Sequence, residues 1–122
     1  MKNVSGEENK SVFSRVVDEG YNKGNLTALD QLFAPNFSDH QNGIQPPTLE
    51  GVKGFIRNAR TAFPDLTLTI EEIVSVRDKT WARITAQGTH HGVFMGLPPS
   101  GKTFTTSRFD VCRFEGGKII EH

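Results

Sequence analysis

The side chains best suited to chemistry stand on two neighbouring segments of the 122-residue chain. Arg108 and Asp110 are two residues apart within 103–114, a run whose alternation predicts a strand. Their shared parity sends both to one face, together with Phe104, Cys112 and Phe114. Charges on such a face need a partner, so the pair reads either as a structural ion pair or as the polar wall of a cleft. Upstream, His90 and His91 end a second predicted strand and point to opposite sides of it. His90 has the parity of Ala82, Ile84, Ala86 and Gly88, small or apolar positions that admit a ligand. An imidazole there could exchange protons near neutrality or orient a carbonyl oxygen, although a hydrogen-bonded strand-end histidine fits equally. The expected catalytic constellation is therefore His90, Asp110 and Arg108, with Ile84, Phe104 and Cys112 in the lining.

Four further polar or loop features join this expectation. Tyr21 could offer its hydroxyl from a helix, and His40 could close the cavity from the helical side. His122 lies on a final strand whose register decides its facing. The loop Gly92-Val-Phe-Met-Gly-Leu-Pro-Pro-Ser-Gly101 places apolar Phe94, Met95 and Leu97 in a segment bent by glycines and stiffened by Pro98-Pro99. It reads as a lid on the cavity or as packing at a subunit seam.

Other chemistries lose ground. Four histidines occur without an HExxH pair, so no metal is expected. GxGxxG, the P-loop and GxSxG are missing, which argues against nucleotide cofactors and a serine nucleophile. A formal net charge of zero gives no footprint for nucleic acid or an anionic membrane. The one cysteine cannot form an intramolecular disulfide, in keeping with a reducing, cytoplasmic setting. Neither a signal-peptide pattern nor a bilayer-length apolar segment is seen.

The elements that must hold these groups follow from periodicity. A helix is predicted from about Glu7 to Lys23 with Val12, Phe13, Val16, Val17 and Tyr21 on one face. A short second helix carries Leu26, Leu29, Leu32 and Phe33 and is stopped by Pro35, and residues 37–40 form an extended piece. Thr48 caps a third helix lined by Val52, Phe55, Ile56, Ala59 and Phe63. From Asp65 the period becomes two, with Leu66, Leu68, Ile70, Val74 and Val76 in one row and a bulge expected near Glu71-Glu72. Strands 81–91 and 103–114 follow, then a Glu115-Gly-Gly-Lys118 turn into a last strand. Helices before an antiparallel meander define an α+β domain spanning 1–122. Apolar residues on both faces of the 103–114 strand lead to an expected homodimer through the outer sheet face.

Gly88-Thr-His-His-Gly92, Phe94-Met-Gly-Leu-Pro-Pro-Ser-Gly-Lys102 and Gly117-Lys-Ile-Ile-Glu-His122 together resemble the SnoaL-like polyketide cyclase (ester cyclase) family of the NTF2-like superfamily. The resemblance implies a cone, with three N-terminal helices packed on a strongly curved, mainly antiparallel sheet. It also implies a cofactor-independent enzyme that abstracts a proton next to a carbonyl in a small apolar, polyketide-like substrate and closes a ring by intramolecular aldol condensation. His90 then matches the family histidine before the glycine loop, and Asp110 stands where a second pocket histidine occurs. The family's acid/base aspartate falls two residues beyond the position of His122, so the last strand is read as cut short. Two other readings stand beside this one: a non-catalytic module binding a small hydrophobic ligand, and an epoxide hydrolase resembling limonene-epoxide hydrolase.

Overall fold

The computed structural model describes residues 5–41 and 43–122. Ser5 begins the first helix, its Oγ accepting from the Glu8 N–H at 3.1 Å. α1 runs Gly6–Arg15, but the expected single helix does not stay α-helical: Val16–Asn22 forms π-helical turns. Such widened turns are rare and favour functional sites; here they carry Val16, Val17, Gly20 and Tyr21 into the interior. Two contacts hold the segment in place. Asn22 pairs with the Leu68 backbone, Nδ2 donating to its carbonyl at 3.0 Å and Oδ1 accepting from its N–H at 2.7 Å. Arg60 donates through Nη1 to the Tyr21 and Asn22 carbonyls at 2.8 and 3.0 Å, satisfying groups that a helix end leaves free.

The second predicted helix is a 3₁₀ segment, Leu26–Gln31, anchored by fully buried Leu29. The extended piece begins earlier than expected, as β1 over Phe33–Ser38, and Pro35 lies inside it. An edge strand tolerates that proline because one row of its N–H groups has no ladder partner. α2 spans Leu49–Ala62 and ends at Phe63, just before Pro64. Thr48 holds the N-cap position without a side-chain capping bond.

Four strands then complete the sheet: β2 Thr67–Val76, β3 Lys79–Thr89, β4 Thr103–Glu115 and β5 Lys118–Glu121. Gly116 and Gly117 take φ of 61° and 82° in the β4–β5 turn, a conformation that favours glycine. The register of β2 against β3 shifts between Ile70 and Glu72, as the expected bulge requires. The consequence for facing is not legible in the alternation itself. Beyond the bulge Ile73 turns toward the core, and Val74 and Val76, expected in the inner row, are exposed.

The fold is α+β, but the strongly curved, cone-like sheet implied by the resemblance does not form. The strand order is β1-β5-β4-β3-β2, an open sheet without strong curvature whose edges β1 and β2 do not pair. Closure needs edge-to-edge hydrogen bonds. Here the β2 edge is engaged by Asn22 instead, and β1 enters beside β5 as the one parallel pairing among three antiparallel ones. Enclosure on the inner face comes from the helical segments, which bury Phe13, Val17, Leu29 and Ile56 against Leu68, Ile84 and Phe114. The outer face stays open and carries an apolar patch, with Val74, Trp81 and Val111 in one cross-strand row and Phe109 beside it. Among the described residues no helix is long and apolar enough to cross a membrane.

Candidate active site

β4 sets out the first two groups. Arg108 and Asp110 face inward, opposite Ile84 and Ala82 of β3, and Arg108 Nη2 lies 3.0 Å from Asp110 Oδ2. The parallel β1–β5 pairing supplies the rest. Ser38 pairs with Glu121, and just beyond that pair the His122 N–H donates to the Ser38 carbonyl while the His40 N–H donates to the His122 carbonyl. Asp39 and His122 thereby meet, Asp39 Oδ2 lying 3.0 Å from His122 Nδ1. The other ring nitrogen, Nε2, lies 3.5 Å from Asp110 Oδ1. Tyr21 closes the group from the π segment, with the Arg108 guanidinium 5.1 Å above its ring centroid.

The result is a chain of charged groups, Asp39–His122–Asp110–Arg108, at the wall of a cavity otherwise lined by Phe13, Val17, Val52, Cys112 and Ile119. The cavity volume is about 20 Å³, room for roughly one water molecule. Burial alone would lower the His122 pKa, but the hydrogen bonds and charges of Asp110 and Asp39 outweigh it and raise it to about 9. Burial would likewise raise Asp110, yet His122 and Arg108 hold it below the usual aspartate range. Burial opposes the charge on Arg108, and Tyr21 and Asp110 more than restore it. The Tyr21 hydroxyl is pushed up by burial, with Arg108 acting against that rise. At neutral pH the Asp110 carboxylate thus stands between two cations, Arg108 and His122, which is how a buried charge of this kind avoids going uncompensated. Arg108 Nε is buried without a hydrogen-bond partner, an open donor in a site that otherwise satisfies its polar atoms.

The residues singled out from the sequence sort by place. Tyr21, Arg108, Asp110, Cys112 and His122 do share the cavity. His90 does not. It sits at the far end of β3, its ring 5.3 Å from that of Phe63 and Nδ1 3.2 Å from Ser100 Oγ, so the constellation of His90 with Arg108 and Asp110 is not assembled. Strand parity puts all three on one face but says nothing of distance along it: Ile84 is opposite Arg108, and His90 lies six residues further on. His40 is exposed and pairs with Glu121 at 2.9 Å, outside the cavity, because it has the opposite parity to Asp39. Ile84 is wholly buried in the core, and Phe104 packs on Phe63 at 4.9 Å.

The Gly92–Gly101 loop is no lid over the charged groups. The His91 and Gly92 N–H groups both donate to the Ala62 carbonyl, which ties the loop to the end of α2. Phe94 then packs on Phe55 and Phe63, and Met95 and Leu97 are 77% and 63% exposed. Phe94 and Met95 line a separate surface hollow with Phe55 and Asn58. The residue that sequence reading missed is Asp39. Its signal was available: Phe37 and Asp39 share a parity in the extended piece, so a buried Phe37 carries Asp39 inward as well. Among the described residues no group of three or more His, Cys, Asp or Glu side chains has the spacing to hold a metal ion.

Comparison with known proteins places this architecture. The family model described as SnoaL-like polyketide cyclase matches residues 11–122. Among solved structures, TsrD from Streptomyces laurentii is 26% identical with a TM-score of 0.88, covering 98% of this chain and 88% of its own. AclR from Streptomyces galilaeus is 29% identical with a TM-score of 0.84, covering 97% of this chain and 74% of its own. IdmH from Streptomyces antibioticus is 31% identical with a TM-score of 0.78, covering 93% of this chain and 87% of its own. No protein of curated function matches. The chain belongs to the SnoaL-like polyketide cyclase family, within the NTF2-like superfamily. Membership supports a polyketide-related catalytic role on a small apolar ligand.

Proposed function

We propose that the protein removes a proton from carbon next to a carbonyl in an apolar, polyketide-like substrate and directs the enolate to ring closure by intramolecular aldol condensation. One observation carries this reading: an ionised Asp110 held between Arg108 at 3.0 Å and His122 at 3.5 Å, at the edge of an otherwise apolar cavity. Asp110 is the base that takes the C–H proton. Arg108 neutralises the charge that develops on the enolate oxygen, using its unpaired Nε–H. The enolate carbon then forms the new C–C bond to a second carbonyl, and the resulting alkoxide takes the proton of the His122 imidazolium. A carboxylate of low basicity can serve as base when donors stabilise the enolate, so the two cations matter as much as Asp110. His90 has no part in this scheme.

A cavity this small admits a substrate only if its walls shift. That same volume favours a second reading, a non-catalytic module in which the four charged groups form a closed, satisfied cluster. Deuterium exchange at the central carbon of 2,4-pentanedione, followed by NMR, separates the two. The catalytic reading expects exchange above buffer background and its loss in Asp110→Asn. Exchange at background in the unmodified protein, or unaltered by that substitution, selects the module. The exposed Val74–Trp81–Val111 row with Phe109 supports a second copy of the chain as partner, docked through the outer sheet face.

A further inference from the structure

We infer that Asp39 is a positioning residue that fixes the ring orientation and protonation of His122, directing Nε2 at Asp110 and the cavity. This deepens the proposed reaction and rests on His122 acting there as the acid. The geometry leaves Asp39 little else to do. Its side chain is only 2% exposed, Oδ2 is 3.0 Å from His122 Nδ1, and Oδ1 accepts the Gln41 N–H at 2.7 Å. Both oxygens are therefore engaged, and contact with a substrate would require one of these bonds to break. A carboxylate on Nδ1 favours the Nδ1–H form of the neutral ring, so Nε2 carries the proton that comes and goes. The β1–β5 pairing supplies rigidity, because backbone hydrogen bonds clamp His122 between Ser38 and His40 on either side of Asp39.

A bland alternative is that Asp39 merely closes its own turn through Gln41. Asp39→Asn distinguishes the two, since an asparagine oxygen still accepts from the Gln41 N–H while the charge beside His122 is gone. The other titratable groups facing His122 are Asp110 and Arg108 from β4 and Tyr21 from the π segment, with Cys112 in the same lining. The titration must therefore be read with those groups intact. The four histidines can be followed by ¹⁵N NMR of ring-labelled protein. The expected result is a His122 midpoint well above that of free imidazole, which falls by at least about one unit in Asp39→Asn. Exchange of 2,4-pentanedione at neutral pH, in which the His122 cation helps to stabilise the enolate, should then drop about a hundredfold, as on loss of one oxyanion donor, and Asp39→Glu should recover part of it.

An unchanged His122 midpoint in Asp39→Asn overturns the inference, as does a midpoint near that of free imidazole in the unmodified protein. Should the variant fail to fold, the unmodified protein decides alone. Above its midpoint His122 must show the Nδ1–H pattern, and an Nε2–H pattern overturns the assignment. A His122 titration that responds to Asp39 while neither protein catalyses exchange leaves the positioning intact and removes the aldol reading.

Discussion

At the scale of residues, the site depends on how one imidazole is shared. His122 touches carboxylates through both ring nitrogens, and Asp110 touches cations through both carboxylate oxygens. Protons can pass along such a chain only where distances are short, and His90 stands apart from it at the far end of β3 beside Phe63. His90→Gln is accordingly expected to leave 2,4-pentanedione exchange within about twofold of the unmodified rate, less than the smallest general acid–base contribution. A loss of two orders of magnitude would return His90 to the catalytic centre and contradict a site built on Asp39, His122, Asp110 and Arg108.

Among elements, β4 does double duty. Its inner face carries Arg108, Asp110 and Cys112, while its outer face presents Phe109 and Val111 beside Trp81 of β3. Phe109 is 75% exposed, and a patch of exposed large apolar side chains on one sheet face is what a subunit contact covers. Phe109→Asp should convert a dimer to monomer in sedimentation-velocity runs while leaving circular dichroism unaltered. A monomer before substitution rules out the sheet-face contact. The helical elements act differently: the π segment is pinned by Asn22 and Arg60, so Tyr21 is placed by hydrogen bonds from β2 and α2 rather than by its own helix.

For the whole molecule, the buried charges link stability to pH. The His122 pKa is raised from 6.5 to about 9. Its contribution is fully present below 6.5, where both folded and unfolded chains hold the proton, and is lost as pH rises through about 9. The shift corresponds to about 3 kcal/mol. Asp110 works in the opposite sense: its folded pKa is depressed, so its contribution is present above 3.8 and disappears as pH falls through the lower folded value. Melting temperature should thus be highest between 3.8 and 6.5 as far as this cluster governs it, and should fall as pH rises from 6.5 through about 9. His122→Gln should flatten that alkaline slope in thermal melts; a slope of equal size in the variant would assign it to other groups.

Local pattern alone determined the helical segments ahead of the long antiparallel strands, the bulge in β2, the Gly116-Gly117 turn and the common face of Arg108 and Asp110, because each follows from backbone geometry within a few residues. Family motifs along 88–122 identified the relatives for the same reason: they are contiguous. Asp39 and His122 stand 83 positions apart and meet only through a parallel pairing whose register no periodicity encodes. The position of His90, the outward turn of Val74 after the bulge, the docking of the Gly92–Gly101 loop on α2 and the open form of the sheet were likewise decided by tertiary packing. Parity tells which side a side chain takes, whereas reach along a strand and closure of a sheet depend on which distant backbone groups find each other.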